Sequence, residues 1–359
     1  MFDAFRYTPT LFVRPSEVEG LSRLPDYDKD AILPIIRLKK WYNSKSLENS
    51  FVALQESFGL RLAVLDLGLL PGEIKNECDA SLVELHNPAG GHAAWVNLVS
   101  AKENFIPTLQ WGGSAQQTAQ QANGLVTLGR GLVVRLRRAH QWDIARLSMI
   151  APIDAEGLPI LVVLDYGQLA RSTDLTAAAA ELSGVAGAVL AAFPNSHVTF
   201  TLGITSFPPE FASIDREHAR IPIRERGLFS ILSAALPFSS GEAALIYGDL
   251  GSVCADRGTI ARGGAPRVDL ASRNEWAYYR REVDHSYVAA AQAVMADAAW
   301  RDDIVIWGTN EIRRAATGDL TNLEYQRRWV AVRINVHLHQ QVNYDAPDAL
   351  IATDDPWSD

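Results

Sequence analysis

The stretch AALIYGDLGSV, residues 243–253, is an apolar run that breaks into Gly248 and Asp249 and then into Gly251 and Ser252. Seven other runs resemble it, at residues 8–13, 31–38, 61–65, 105–109, 131–136, 159–164 and 198–204. Helical patterns separate most of them and hairpin turns are missing, which favours parallel strands joined by crossover helices. The pattern predicts an α/β fold, a TIM-like (β/α)8 barrel with extra C-terminal helices, and an open doubly wound sheet is the alternative.

The chain has 359 residues, about a hundred more than the roughly 250 typical of one such barrel. We therefore predict three parts: a barrel over residues 1–266, a helical extension packed on it over 267–345, and a loose acidic tail over 346–359. Helical patterns at residues 274–299, 303–315 and 327–342 make up the predicted extension.

The charge and the apolar pattern limit the partners and the location. A formal net charge of -9 argues against a broad nucleic-acid surface. The N-terminus, MFDAFRYTPT, lacks the features of a signal peptide, and no apolar stretch has the length of a membrane span. Cys78 and Cys254 have no metal-ligand spacing and indicate free thiols. We expect a cytoplasmic protein that does not enter a membrane.

Polar residues close the apolar runs, at the strand ends where barrel enzymes build their active sites. These residues are Arg14, Lys39, Asp66, Gln110, Arg135, Arg137, Asp165, Thr205, Ser206 and Asp249. Asp66, Asp165 and Asp249 each follow an apolar run directly, so we predict them as catalytic residues, acting as a general base or as metal ligands. The alternative is that strand ends are polar because they meet solvent. Metal, cofactor and reaction stay open, as does whether the chain is an enzyme.

Cations among these residues predict an anionic ligand at the barrel mouth. Arg135 and Arg137 share one face of a strand, and Arg14, Glu17 and Lys39 lie near other strand ends. We expect Arg135→Ala to weaken anion binding and to leave the melting temperature nearly unchanged.

Small residues follow the seventh and eighth strands, where barrels frequently bind phosphate. Ser206 follows the seventh, and Gly248, Gly251 and Ser252 surround the end of the eighth. We predict that they bind the anion through backbone N–H groups and hydroxyls. Simple turns are the alternative, because glycine tolerates positive φ.

Six short motifs occur in an order and at a spacing that resemble a known family. They are TLFVRPSE, ILPIIRL, TSFPPEF, RERGLFSIL, LIYGDLG and WGTNEI. The chain resembles the Beta protein family of phages and prophages over nearly its whole length. The family carries Gly-Asp-Tyr where this chain has Gly248, Asp249 and Leu250. It has no settled activity, so the resemblance implies a setting of phage–host conflict or antiviral defence and supplies no catalytic residue.

Two classes of function remain open. The first is an enzyme or sensor that binds a phosphorylated small molecule or nucleotide at the barrel mouth. The second is a non-catalytic interaction protein of a phage or anti-phage defence system, which docks a protein partner through aromatic residues of its C-terminal helices. Those residues are Trp276, Tyr278, Tyr279, Trp300, Trp307 and Trp329.

Overall fold

Strand β6 shows how the apolar runs of this chain form a buried sheet. Its residues Ile160 to Leu164 are all buried, as expected for a parallel strand covered on both faces. The computed structural model describes residues 1–209, 217–255, 265–281 and 286–346. In these ranges the strands are β1 Tyr7–Phe12, β2 Ile35–Leu38, β3 Ala63–Leu67, β4 Phe105–Pro107, β5 Leu132–Arg137, β6 Pro159–Gln168, β7 His197–Thr205, β8 His218–Pro222, β9 Ala244–Asp249, β10 Arg267–Ala271 and β11 Glu275–Arg280.

Eight strands form one parallel sheet in the order β4-β3-β2-β1-β9-β7-β6-β5. The two outer strands approach each other through a bridge between Thr108 and Val133, where the Leu109 N–H donates to the Val133 carbonyl at 2.8 Å. The sheet is therefore a nearly closed barrel, as the eight apolar runs predict.

Helices cover the outside of this barrel and build the C-terminal region. They are α1 Pro15–Ser22, α2 Asp26–Ala31, α3 Glu48–Phe58, α4 Glu77–Leu85, α5 Ala89–Ser100, α6 Ala115–Val126, α7 Leu175–Ala192, α8 Arg224–Ser233, α9 Tyr287–Met295, α10 Trp307–Ala316 and α11 Gln326–Val342. Within the described ranges, α7 alone has the length and apolar composition of a membrane span. It packs against α8 and the segment Arg138–Met149, and its Glu181 accepts hydrogen bonds from Arg138 and from the Trp142 indole.

The predicted helix over residues 274–299 is wrong in its first half. Strand β11 occupies Glu275–Arg280 and pairs antiparallel with β10 and β8 in a second, three-stranded sheet. Trp276 and Tyr278 pack in one apolar cluster, whereas Ala277 packs in another. This alternation is the period of a strand, and aromatic residues fit it well. The helices expected at 303–315 and 327–342 correspond to α10 and α11.

Helix α11 joins the barrel to the small sheet. Nearly all its side chains from Trp329 to Val342 are buried, including several polar ones that bind other elements. These contacts join His337 Nε2 to Asp249 of β9 at 2.8 Å, His339 Nδ1 to Asp28 of α2 at 2.6 Å, Asn335 Nδ2 to the Gly20 carbonyl of α1 at 3.1 Å and Arg333 Nη1 to Asp269 of β10 at 2.5 Å. Helix α11 thus contacts both sheets and helices α1 and α2 through buried polar pairs. The predicted tail lies outside the described residues from position 347 onward.

Candidate functional site at the barrel mouth

Charged side chains occupy the inside of the barrel at the C-terminal ends of its strands. Ile35, Val64, Val133 and Val163 belong to the apolar cluster that fills the barrel. Because side chains alternate along a strand, the residues two positions further on face the same interior. Those residues are Arg37, Asp66, Arg135 and Asp165. Strands β3 and β6 continue past their predicted ends, so Asp66 and Asp165 lie within strands, as Arg37 and Arg135 do.

Arg135 links the two aspartates. Its Nη1 donates to Asp66 Oδ2 at 3.0 Å, and its Nε donates to Asp165 Oδ2 at 2.7 Å. Burial lowers the pKa of Arg135, but the two carboxylates outweigh this effect and raise the pKa overall. Asp66 also accepts hydrogen bonds from the Gln110 amide at 3.1 Å and from the Leu67 N–H at 2.9 Å. Arg135 and Asp66 are therefore held by several hydrogen bonds within the protein.

The positive charge of Arg37 is less well compensated by carboxylates than that of Arg135. Its Nε lies 3.8 Å from Asp66 Oδ2 and is buried without a hydrogen bond to any part of the chain that the structure describes. Burial and the nearby charge of Arg135 lower the pKa of Arg37 to about 10. The Arg37 guanidinium lies 5.0 Å from the centre of the Phe12 ring, and the Arg14 guanidinium lies 4.6 Å from the same centre. The β1–β2 side of the mouth is therefore rich in cations.

A small cavity of about 10 Å³ lies between these two sides. Its lining includes Thr10, Arg37, Asp165, Gly203 and Leu250. The Thr10 hydroxyl is buried and has no hydrogen-bond partner among the described residues. The cavity holds about one water molecule or one ligand oxygen. The Arg37 and Asp165 side chains are 12% and 15% exposed, so the mouth meets solvent.

Other predicted residues form the rim of the mouth. Glu17 is buried and accepts a hydrogen bond from the Phe12 N–H at 2.7 Å, and its Oε1 lies 3.6 Å from Arg14 Nη1. Arg137 is paired with Asp143 at 3.4 Å. Burial and the charge of Arg14 lower the pKa of the half-buried Lys39. The structure thus brings seven predicted site residues to the mouth: Arg14, Glu17, Lys39, Asp66, Arg135, Arg137 and Asp165.

Asp249 is not at the mouth, although the sequence groups it with Asp66 and Asp165. Ile246 packs inside the barrel, and alternation turns Asp249 to the outer face. There Asp249 accepts hydrogen bonds from the Tyr7 and Tyr247 hydroxyls and faces His337 of α11. Burial raises its pKa, but His337 and the hydrogen bonds outweigh burial and lower the pKa overall.

Two of the residues predicted to donate hydrogen bonds to phosphate, Ser206 and Gly251, donate to carboxylates of the protein itself. Glu225 accepts hydrogen bonds from the N–H and the hydroxyl of Ser206, and Asp249 accepts one from the Gly251 N–H at 2.8 Å. The Ser252 hydroxyl lies 3.4 Å from Arg333 Nε. Gly248 lies inside the barrel, where a Cβ would come within 2.3 Å of Thr201 Oγ1. These four residues are therefore engaged within the protein and lie apart from the cavity.

Sequence reasoning missed Arg37 and Thr10. The alternation of side chains along a strand could have identified Arg37. It places Arg37 on the same face as Ile35, just as it places Arg135 and Arg137 on one face. Three of the six aromatic residues predicted to bind a partner, Trp276, Tyr278 and Trp329, are at most 2% exposed. No cluster of three or more metal-ligating side chains occurs among the described residues.

The fold and this mouth define a class of α/β proteins: a nearly closed, eight-stranded parallel barrel with charged residues at the strand ends and a C-terminal extension. The sequence model of the family described as Beta protein matches residues 7–343, so this chain belongs to the Beta protein family. The chain is similar to Protein beta of Enterobacteria phage P4, with 28% identity over 354 residues that cover 95% of this chain and 94% of the relative. The resemblance to the Beta protein family that the six motifs indicate is therefore confirmed.

Proposed function

We propose that this chain is a cytoplasmic protein of phage–host conflict whose barrel mouth binds an anionic ligand, a phosphorylated or nucleotide-like small molecule. The phage setting rests on the similarity to Protein beta of phage P4. We further propose that the barrel is of the TIM-like (β/α)8 type, in which ligands bind at the C-terminal strand ends. The alternative class is a non-catalytic interaction protein.

The observation that carries this proposal is the incomplete neutralisation of Arg37. A guanidinium N–H that is buried without a hydrogen bond is costly, and an anionic oxygen is the group that relieves the cost. Thr10 lines the same cavity with an unpartnered hydroxyl, which can donate to such an oxygen. Arg14 and Lys39 add positive charge at the rim.

The test is a thermal-shift screen followed by calorimetric titration with inorganic phosphate, sugar phosphates and nucleotides. We expect a phosphorylated compound to raise the melting temperature of the wild type, because a ligand that binds only the folded state stabilises it. Arg37→Gln should lower the affinity for this ligand by about tenfold or more, because it removes one charge-assisted hydrogen bond.

Arg130→Gln is the matched control. Arg130 is also partly buried and has a lowered pKa because of burial, but it precedes β5 at the opposite barrel end. This variant should bind the ligand like the wild type. A mouth that binds none of the phosphorylated compounds, in a preparation that copurifies with another protein, would favour the interaction class instead.

A further inference from the structure

The two walls of the mouth cavity differ in their chemistry. On the β1–β2 wall are Thr10 and Arg37, a hydroxyl and a cation that suit an anionic oxygen. On the β6–β7 wall are Asp165 and Gly203, a carboxylate beside a residue without a side chain. A ligand that lies over the mouth with one oxygen in the cavity therefore meets a site for negative charge and, on the opposite wall, a hydrogen-bond acceptor.

Asp165 has acceptor capacity to spare. Both hydrogen bonds from Arg135 go to Oδ2, whereas Oδ1 accepts no hydrogen bond from any of the described ranges. A carboxylate has about four acceptor positions. Because Asp165 lines the cavity and its side chain is 15% exposed, Oδ1 is available to a donor of the ligand.

Gly203 keeps the space beside Asp165 open. A Cβ at position 203 would lie 3.3 Å from Asp165 Cα and 3.4 Å from Asp165 Cβ, closer than ordinary packing. Any larger side chain there would extend into the mouth next to the carboxylate. The absence of a side chain thus leaves room for a ligand group at Asp165.

We propose that the ligand is a hydroxylated phosphate ester, such as a sugar phosphate or a ribonucleotide, which lies over the mouth with one phosphoryl oxygen in the cavity, bound to Arg37 and Thr10, while a hydroxyl outside the cavity donates to Asp165 Oδ1. This inference rests on the proposed function, since it requires an anion at the mouth. It adds a specificity-determining residue, Asp165, and distinguishes hydroxylated esters from bare phosphate.

Two phosphate esters with the same three-carbon skeleton test the inference: glycerol 3-phosphate, which has two hydroxyls, and propyl phosphate, which has none. Calorimetric titration of the wild type should give a dissociation constant at least about tenfold lower for glycerol 3-phosphate, because a hydrogen bond to a charged acceptor is among the stronger ones. Asp165→Asn should lower this ratio toward one, because an amide oxygen is a weaker acceptor than a carboxylate, and it should not weaken the binding of propyl phosphate, because it removes negative charge from the mouth.

The comparison of the two esters on the wild type decides the inference even if Asp165→Asn does not fold. Equal binding of both esters would overturn the inference and leave the proposed function standing. A preference that persists in a folded Asp165→Asn variant would overturn the role of Asp165. If inorganic phosphate and both esters all fail to bind, the inference fails together with phosphate binding at the mouth.

Discussion

Arg37 and Arg135 lie in one ion-pair network but differ in what they contribute to stability. Arg135 donates to both Asp66 and Asp165, whereas Arg37 only approaches Asp66 at 3.8 Å. Removing one partner of a buried pair leaves an uncompensated charge, whereas removing a poorly compensated charge relieves a desolvation cost. The sequence-based expectation that Arg135→Ala leaves the melting temperature unchanged is therefore revised.

We predict that Arg135→Gln lowers the free energy of unfolding by about 3–5 kcal/mol, because both aspartates lose their central donor. Arg37→Gln should raise this free energy by about 1 kcal/mol or leave it unchanged, because its charge is buried next to Arg135. Urea denaturation of the two variants and the wild type measures the difference. Equal losses of stability in both variants would contradict this interpretation of the network.

Glu225 predicts a dependence of stability on pH. Burial raises its pKa to about 7, against 4.5 for the exposed group, although its hydrogen bonds from Ser206 act in the opposite direction. Between pH 4.5 and 7 the folded state therefore binds more protons at this site than the unfolded state, so the contribution of Glu225 to stability falls as the pH rises through this range.

We predict that Glu225→Gln removes this contribution. The stability of the variant relative to the wild type should increase from pH 5 to pH 8, because only the wild type must ionise a buried carboxyl. Urea midpoints at pH 5, 6, 7 and 8 measure the change, and the difference between the two proteins cancels the other titrating groups. If the stability difference between Glu225→Gln and the wild type stays constant over the four pH values, the pKa of Glu225 is not raised by folding.

At the scale of elements, two glycines allow α11 to lie close to its neighbours. A Cβ on Gly20 of α1 would come within 2.8 Å of Ile334 Cγ2 and 3.0 Å of the Ala331 carbonyl oxygen. A Cβ on Gly308 of α10 would come within 2.7 Å of Val336 Cγ2. Both helices pack against α11 at a distance that a larger residue would increase.

We predict that Gly20→Ala destabilises the protein by about 1–3 kcal/mol, because overpacking outweighs the better helix propensity of alanine. Gly184→Ala in α7 is the control. No atom lies within 4 Å of a Cβ at position 184, so this change should stabilise the protein by about 0.5–1 kcal/mol. Thermal unfolding of both variants measures the opposite signs.

The elements also show how far the sequence predicts the structure. Eight parallel strands were predictable because each is a separate apolar run, and the joint position of Asp66, Arg135 and Asp165 followed from strand ends. Asp249 was misplaced because alternation decides its face, and one residue more or less turns a side chain to the other side. Strand β11 was missed because both of its faces are buried, so its large side chains do not show the alternation of apolar and polar residues.

At the scale of the whole molecule, α11 makes the barrel and the C-terminal region depend on each other. It supplies His337 to Asp249 and His339 to Asp28, two aspartates of the barrel region that are buried. Without α11 these carboxylates would lose buried hydrogen-bonding partners, which is costly. The boundary predicted near residue 266 thus separates two regions that share a core helix.

We predict that a chain ending at residue 325 does not unfold cooperatively, because it lacks α11. A chain ending at Ala346 retains α11 and should keep the urea midpoint of the full-length protein. Circular dichroism during urea titration compares the two truncated proteins. A stable barrel from the shorter chain would mean that α11 is dispensable.

The position of α11 near the C-terminus has a consequence for biosynthesis. Strand β1 and helix α1 are synthesised before the other barrel strands, whereas the helix that packs against them is synthesised after all of them. Domains otherwise tend to fold from the N-terminus as they are synthesised. The nascent chain must therefore keep part of its barrel surface uncovered until α11 has been synthesised, and translation that stops before α11 would release chains that cannot complete this core.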